Sequence, residues 1–292
     1  MSELKPDRSR MTGRLWVLSA GLYMSVGGPI IRLADDIGEW QFLFYRALGA
    51  AAAILAYLLI SGRPVLVLVR GAGATGVVAG LCLSVAFTGY VWGVMHSTVA
   101  NALFLYSPAP VFAALFGWLV MREPVARSMW LAMAGVIAGV GIMIGEGLAE
   151  ADLLGDLASL SAAVGFAGFV VGIRRGRQTD MSVAILIGAV ITMAASAGMA
   201  LVGGTGLVAP TVDAGLAVTY GALVIGAGIV MLTIGAKSVP AAEIIVLSMS
   251  EVVLASIWVW LAFGEVPSIL TLVGGAIVLG SIAVQASIGM RK

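Results

Sequence analysis

Residues 40–61 read WQFLFYRALGAAAAILAYLLIS, an apolar run of 22 residues that is interrupted by a single charge, Arg46. An α-helix rises about 1.5 Å per residue, so about 20 such residues cross the hydrocarbon core of a bilayer. The run is therefore long enough for one crossing. It predicts a membrane-spanning helix.

The whole chain has the same character. Of its 292 residues, 61% are hydrophobic and 11% are charged, whereas soluble domains carry roughly 45–50% apolar and about 25% charged residues. The formal net charge of +1 provides no basic face for a phosphate backbone, so we expect no nucleic-acid partner. This composition excludes a secreted enzyme and a disordered chain, and it predicts an all-α integral membrane protein embedded in a lipid bilayer.

Charged residues, glycine and proline divide the chain into ten apolar segments joined by short connections. The first follows Arg8, Arg10 and Arg14 and has no convincing small-residue cleavage site, so we expect a retained helix rather than a signal peptide. The predicted helices 1 to 10 are residues 14–33, 40–61, 72–95, 98–121, 127–146, 152–173, 181–203, 213–236, 239–262 and 268–288.

Loop charges alternate along this division, which tests it. Basic residues mark cytoplasmic loops, and 14 of the 16 lie in the two tails and the even-numbered connections: Lys5, Arg8, Arg10, Arg14, Arg63, Arg70, Arg122, Arg127, Arg174, Arg175, Arg177, Lys237, Arg291 and Lys292. The odd-numbered connections carry acidic residues instead: Asp35, Asp36, Glu39, Glu146, Glu150, Asp152, Asp213 and Glu265. Both termini are therefore predicted to be cytoplasmic.

The two halves of the chain resemble each other at an offset near 141 residues. Ser107 corresponds to Ser248, and after a slip of one residue WLVMRE at 118–123 corresponds to WLAFGE at 260–265. Because each repeat holds five helices, an odd number, the second repeat is predicted to enter the membrane from the opposite side. We predict repeats at 14–146 and 147–288, with short cytoplasmic tails at 1–13 and 289–292.

One pattern occurs in both halves: a helix bearing proline or glutamate, a short turn ending in glutamate, and a helix with spaced glycines. It resembles the EamA family of the drug/metabolite transporter superfamily, and the matching residues are Arg46, Pro108, Pro110, Glu123, Gly135, Glu251, Glu265 and Gly275. The resemblance implies ten helices around a central cavity lined by helices 1, 3, 4, 6, 8 and 9. It implies efflux of small metabolites by alternating access, without enzyme activity or cofactor.

Among subfamilies, the chain looks most like bacterial aromatic amino acid exporters, which implies a bacterial inner-membrane location. We therefore predict export of neutral or aromatic amino acids. Alternatives are efflux of drugs or other metabolites by the same fold, a membrane assembly subunit and an intramembrane enzyme. We predict a monomer. The glycine-spaced face of helix 6 leaves a dimer open.

Three charged residues inside the predicted helices are candidates for a functional role. Glu251 lies near the middle of helix 9, where a carboxylate is costly, so it binds substrate, takes up a proton or serves a structural role. Glu243 lies two turns earlier, at the inner mouth or the membrane interface. For Arg46 we favour a topology anchor or an ion pair with Asp35, Asp36 or Glu39 over substrate contact.

Further residues are assigned to the predicted cavity. The predicted substrate-binding set combines deep aromatic side chains on helices 1, 3, 4 and 6 with polar groups on helices 4 and 9. Its members are Tyr23, Phe87, Tyr90, Asn101, Tyr106, Phe166, Ser248 and Glu251. For each aromatic residue, packing in the protein core is the alternative. Pro108 and Pro110 remove backbone donors from helix 4 and predict a bend or a static kink. Arg46, Pro108, Pro110 and Glu243 form the predicted gating or structural set.

Other chemistries lack the residues they need. One cysteine, Cys82, and one histidine, His96, form neither a disulfide nor a metal cluster, so we expect no metal. Residues 71–76, GAGATG, match the dinucleotide pattern GxGxxG, and residues 65–69 before them resemble a strand. The motif requires a soluble βαβ unit and an acidic residue about 20 positions later, but no acidic residue lies there and membrane-spanning segments surround the match. We therefore expect no dinucleotide cofactor.

Overall fold

The computed structural model describes residues 8–27, 30, 33–34, 36–62, 64–96, 105–143, 153–263 and 269–290. Within these ranges the chain is helical and contains no strand. The helices are α1 (Arg8–Met24), α2 (Glu39–Ile60), α3 (Val65–His96), α4 (Ala109–Met121), α5 (Arg127–Met143), α6 (Leu153–Arg175), α7 (Ser182–Val202), α8 (Thr211–Thr219, a π-helical segment Tyr220–Gly226, and Ala227–Gly235), α9 (Ala241–Ser248 and Ser250–Phe263) and α10 (Ile269–Met290).

Six of the described helices are long and apolar enough to cross a membrane: α2, α3, α6, α7, α8 and α9. Shorter apolar stretches lie in α4, α5 and α10. The membrane character predicted from the composition is therefore matched by the helices themselves.

The helix α3 begins earlier than predicted. It starts at Val65 and kinks at Gly73, whose φ of 53° lies in the left-handed region that glycine adopts without a steric penalty. The residues before the GxGxxG match are thus helical. The strand that a dinucleotide site requires is absent there.

Two helices break at matching positions of the predicted repeats. Ser107 and Pro108 form a turn before α4, and α9 is interrupted at Met249, one residue after Ser248. Pro108 caps α4 and Pro110 lies in its first turn, where a missing N–H group costs no hydrogen bond. The prolines therefore start a new helical segment rather than bending a continuous one.

The main packing partners also come in matched sets. The helix α3 packs against α6 and α7, while α8 packs against α1 and α2. The helix α4 packs against α6, and α9 against α1. The helices α5 and α10 pack against each other, as do α2 and α7, and α4 and α9. Exchanging each helix with the one five later gives the same set of packing pairs, so the two halves have corresponding packing partners.

Glycines in α6 allow the close approach of α3. A Cβ atom at Gly172 would lie 2.7 Å from the Cβ atom of Ala79, and one at Gly168 would lie 2.8 Å from the sulfur of Cys82. The glycine-spaced face that left a dimer open in the sequence is thus occupied within the chain.

This contact predicts a difference between two glycine substitutions. We expect Gly172→Ala to lower the free energy of unfolding by about 1–3 kcal/mol, because the added methyl group overpacks the α3–α6 contact. The matched control is Gly198→Ala in α7, where a Cβ atom meets nothing within 4 Å; it should be neutral or mildly stabilising. Denaturant titration in detergent compares them, and equal losses would contradict the close contact.

Candidate functional site

The backbone of α2 lies directly against the π-helical segment of α8. A Cβ atom at Gly221 would collide with the carbonyl oxygen of Arg46, and one at Gly49 would collide with that of Val218. Only glycine permits this approach, which places the neighbouring Tyr220 beside Arg46. π-Helical segments often occur at functional sites, and here the segment carries an aromatic side chain to a buried charge.

The side chain of Arg46 is enclosed by aromatic rings. Arg46 is 2% exposed, and its Cζ atom lies over the ring of Phe87 at 4.7 Å and over that of Tyr220 at 5.6 Å. A guanidinium over an aromatic face is attracted by the ring quadrupole. Its Nη2 atom is buried and finds no hydrogen-bond partner among the described residues. The aromatic rings hold the cation, but this nitrogen retains unused donors.

A carboxylate from the opposite half lies near this cation. Glu251, in the second segment of α9, lies near Arg46, Tyr90, Tyr106 and Tyr220. The described residues contain no ion pair between Glu251 and Arg46. Glu251, Tyr90 and Tyr106 keep partial exposure although they lie deep within the bundle, as expected of side chains that line an internal space.

We call these residues the central cluster: Arg46, Phe87, Tyr90, Tyr106, Phe166, Tyr220 and Glu251. Its rings follow one another, with centroids 6.1 Å apart between Tyr90 and Tyr106 and 6.0 Å apart between Tyr106 and Phe166. Such separations are typical of stabilising aromatic pairs. The cluster combines a cation, a carboxylate and an aromatic wall drawn from α2, α3, α6, α8, α9 and the residues before α4.

The structure brings together most of the predicted cavity residues. Phe87, Tyr90, Tyr106, Phe166 and Glu251 all belong to the central cluster. Tyr220 was missed, and the sequence signal that could have found it is its position next to Gly221, the repeat counterpart of Gly80.

Other predicted site residues lie elsewhere. Tyr23 is 37% exposed near the end of α1, where Leu22 and the following Val26 are exposed as well. Ser248 is buried and donates its hydroxyl to the carbonyl oxygen of Ile245 in its own helix at 2.9 Å. Asn101 lies outside the described residues.

The predicted ion pair of Arg46 is not found among the described residues. Asp36 and Glu39 make no ion pair with it, and Asp35 lies outside the described residues. The backbone N–H of Asp36 donates to Asp213 instead, at 3.2 Å. The reason is that Arg46 points into the bundle, between the rings of Phe87 and Tyr220, rather than toward the acidic connection.

Glu243 is buried in ion pairs and does not line an open inner mouth of the cavity. It is fully buried, accepts a hydrogen bond from Nε of Arg14 at 2.6 Å, and accepts another from Nη2 of Arg10 at 2.9 Å. The start of α1 therefore folds over the start of α9. The sequence prediction placed these arginines in a cytoplasmic tail and assigned them no partner.

A second ion pair joins further ends that were predicted to be cytoplasmic. Nε of Arg174 donates to Glu123 at 3.0 Å, and Nη1 donates to the carbonyl oxygens of Ala236 and Lys237 at 3.0 and 2.8 Å. These bonds connect the ends of α4, α6 and α8. Together with the Glu243 pairs they tie together five helix ends that the charge pattern assigns to one side.

The opposite end is connected by further hydrogen bonds between neutral groups, in addition to the bond from Asp36 to Asp213. Nε2 of Gln41 donates to the carbonyl oxygen of Val208 at 2.7 Å, and the hydroxyl of Tyr45 donates to that of Leu207 at 2.8 Å. Nε1 of Trp258 donates to Ser25 at 2.8 Å and holds α9 against the end of α1. Residues predicted to share the outer side therefore meet one another.

A separate groove of about 460 Å³ lies between α2, α3, α6 and α7. It contains no charged residue and none of the central cluster, and its lining is Trp40, Ser84, Val85, Thr88, Gly89, Trp92, Ala158, Ser161 and Met199. Its open, largely apolar form suits contact with lipid chains more than recognition of a polar metabolite.

Comparisons with known proteins match nearly the whole chain. A sequence model of the EamA-like transporter family matches residues 11–145 and, a second time, residues 153–286. The pseudopaline exporter CntI of Pseudomonas aeruginosa, in strains UCBPP-PA14 and PAO1, is 25% identical over 272 residues, covering 92% of this chain and 93% of the relative.

A solved crystal structure of another protein shares the fold. It superposes with a TM-score of 0.82 at 20% sequence identity, covering 96% of this chain and 99% of its own. The arrangement of helices is therefore one that an experimentally determined protein adopts across almost its full length.

Proposed function

Because the chain belongs to the EamA-like transporter family, we propose that it exports small amphipathic metabolites, with neutral and aromatic amino acids as substrates. The observation that carries this proposal is the central cluster, which holds the carboxylate of Glu251 beside partly exposed tyrosines deep within the bundle. Glu251 would bind the substrate ammonium group, and Tyr90, Tyr106 and Phe166 would cover an apolar side chain.

Alternating access would be provided by the two halves. The double family match and the matched packing partners support two repeats that rock against each other, and we propose that they have inverted topology with ten spans in total. The assembly of basic helix ends on one side supports cytoplasmic termini in the bacterial inner membrane. We propose that the protein acts as a monomer.

The described conformation fits closure toward the side of the basic ends. All residues of Ala241–Ser248 are buried, and this segment packs against α1 and α4. Beyond Met249, α9 becomes more exposed. We propose an outward-facing state in which the Glu243 and Glu123 ion pairs close the cytoplasmic side beneath the central cluster.

A counterflow screen tests the export function. Purified protein in liposomes preloaded with an unlabelled amino acid should accumulate the same labelled amino acid, with aromatic and neutral side chains preferred over charged ones. Empty liposomes give the background. Absence of counterflow with every amino acid would contradict the amino acid proposal, and product formation by the purified protein would favour an enzyme.

The CntI relative supports a second candidate substrate. That protein is named an exporter of pseudopaline, and its likeness to this chain extends along nearly the full length of both. Pseudopaline is therefore included in the screen. Counterflow of pseudopaline without counterflow of any amino acid would retain the exporter and replace its substrate.

A further inference from the structure

We propose that Arg46 binds a free carboxylate of the transported metabolite, so that the central cluster selects zwitterions over cations. This inference rests on the proposed function and deepens it. It assigns Arg46 to substrate recognition, whereas the sequence favoured a structural role.

The first argument is the unused hydrogen-bonding capacity of Arg46. Its Nη2 atom is buried without a hydrogen-bond partner among the described residues, although a buried charge is costly unless it is paired. The rings of Phe87 and Tyr220 lie close to the guanidinium group, with their centroids 4.7 and 5.6 Å from Cζ. Its edge carries the N–H groups that bind a carboxylate through two parallel hydrogen bonds.

The second argument is the position of the opposite charge. Glu251 interacts electrostatically with Arg46, yet the two side chains form no ion pair in the described part of the chain. Partly exposed Tyr90 and Tyr106 lie near the same carboxylate. An amino acid carries its carboxylate and ammonium group on one carbon atom, so it would complement the two protein charges at once. A lipophilic cation would leave Arg46 unpaired.

The third argument comes from the repeat. At the offset of 141, Arg46 corresponds to Ile187. Gly80 lies against the side chain of Ile187, and Gly221 lies against the backbone carbonyl group of Arg46. Glu251 corresponds to Pro110 in the same way. The corresponding helices α3 and α7 thus approach each other closely in the other half without either charge. The packing of this fold therefore does not require an arginine here, and the two charges mark where the halves differ.

Competition in phenylalanine counterflow tests the assignment. Phenylalanine amide keeps the ring and the amino group but lacks the carboxylate. With the wild-type protein, unlabelled phenylalanine should compete at least about tenfold better than the amide, because a charge-assisted hydrogen bond contributes about 1.5–3 kcal/mol. In Arg46→Met the two competitors should become equal within about twofold. The matched control, Arg70→Met at an exposed position, should keep the wild-type preference.

The outcomes separate this inference from the proposed function. If the wild-type protein shows phenylalanine counterflow but phenylalanine amide competes as well as phenylalanine, the role of Arg46 is overturned and the export function is left intact. Retention of the preference in Arg46→Met would overturn it as well. Should that variant fail to fold, Arg46→Lys decides: a reduced preference supports bidentate binding, and an unchanged preference contradicts it. Absence of any amino acid counterflow contradicts both proposals.

Discussion

Glu243→Ala is expected to lower the free energy of unfolding by about 3–5 kcal/mol, since removing one partner of a buried ion pair leaves an uncompensated charge. Arg14 is only 3% exposed, so its guanidinium cannot turn to water when the carboxylate is lost. Arg10 also donates to this carboxylate, but it is about one-third exposed and can be resolvated. The loss should therefore arise mainly from Arg14. Denaturant titration in detergent measures it.

Glu123→Ala is the matched control, because it removes a carboxylate at the same end of the bundle. The side chain of Glu123 is 25% exposed, and Arg174 keeps two carbonyl acceptors without it. We expect a loss of about 1 kcal/mol or less. Joint replacement of Glu243 and Arg14 by leucine should recover much of the lost stability, because it removes both charges. Equal losses for Glu243→Ala and Glu123→Ala would contradict this account.

The sequence predicted the helical membrane fold because that prediction depends on local properties. Apolar length, loop charge and glycine spacing act within a few residues, and they are visible without knowledge of tertiary contacts. The predicted start of helix 3 at residue 72 was wrong, because Gly73, with its positive φ, links two helical stretches that composition alone divides. Pro108 and Pro110 predict a bend in helix 4, and the structure has a turn at Ser107 and Pro108 that starts a new helical segment instead.

The central cluster could be predicted only in part. Phe87, Tyr90, Tyr106 and Phe166 follow from depth within helices that the family resemblance places around the cavity. The orientation of Arg46 could not be predicted, because depth along a helix does not show which face carries the charge. Tyr220 lies at the right depth, but only the packing of Gly221 against α2 reveals its contact with Arg46.

Glu243 shows a different limit of sequence reasoning. Its depth near one end of helix 9 is compatible with the inner mouth of the cavity, with the membrane interface or with a buried ion pair. Its role is decided by the first turns of α1, whose Arg10 and Arg14 lie more than 200 residues away in sequence. Loop charges indicate the side of the membrane on which a residue lies. They do not indicate which of the charges on that side pair with each other.

Glu251→Gln is expected to reduce phenylalanine counterflow at least about tenfold. The glutamine side chain keeps the shape of glutamate but loses the charge that would hold the substrate ammonium group. N-acetylphenylalanine keeps the carboxylate and lacks the ammonium group. With the wild-type protein it should compete poorly, and in Glu251→Gln it should compete about as well as phenylalanine. Glu39→Gln, the same substitution at the start of α2, should behave like the wild type.

The two charge variants are expected to fail on different analogues. Arg46→Met should lose discrimination against the amide while still rejecting the N-acetyl compound, and Glu251→Gln should show the reverse. If either residue had a purely structural role, its variant would handle phenylalanine, phenylalanine amide and N-acetylphenylalanine less well by the same factor. The ranking of the three compounds as competitors would then stay unchanged. If Glu251→Gln keeps the counterflow rate, the pH dependence and the ranking of competitors of the wild-type protein, this carboxylate is excluded from the mechanism. The crossed pattern requires that one molecule contact both halves of the protein, which is what substrate binding between two rocking repeats demands.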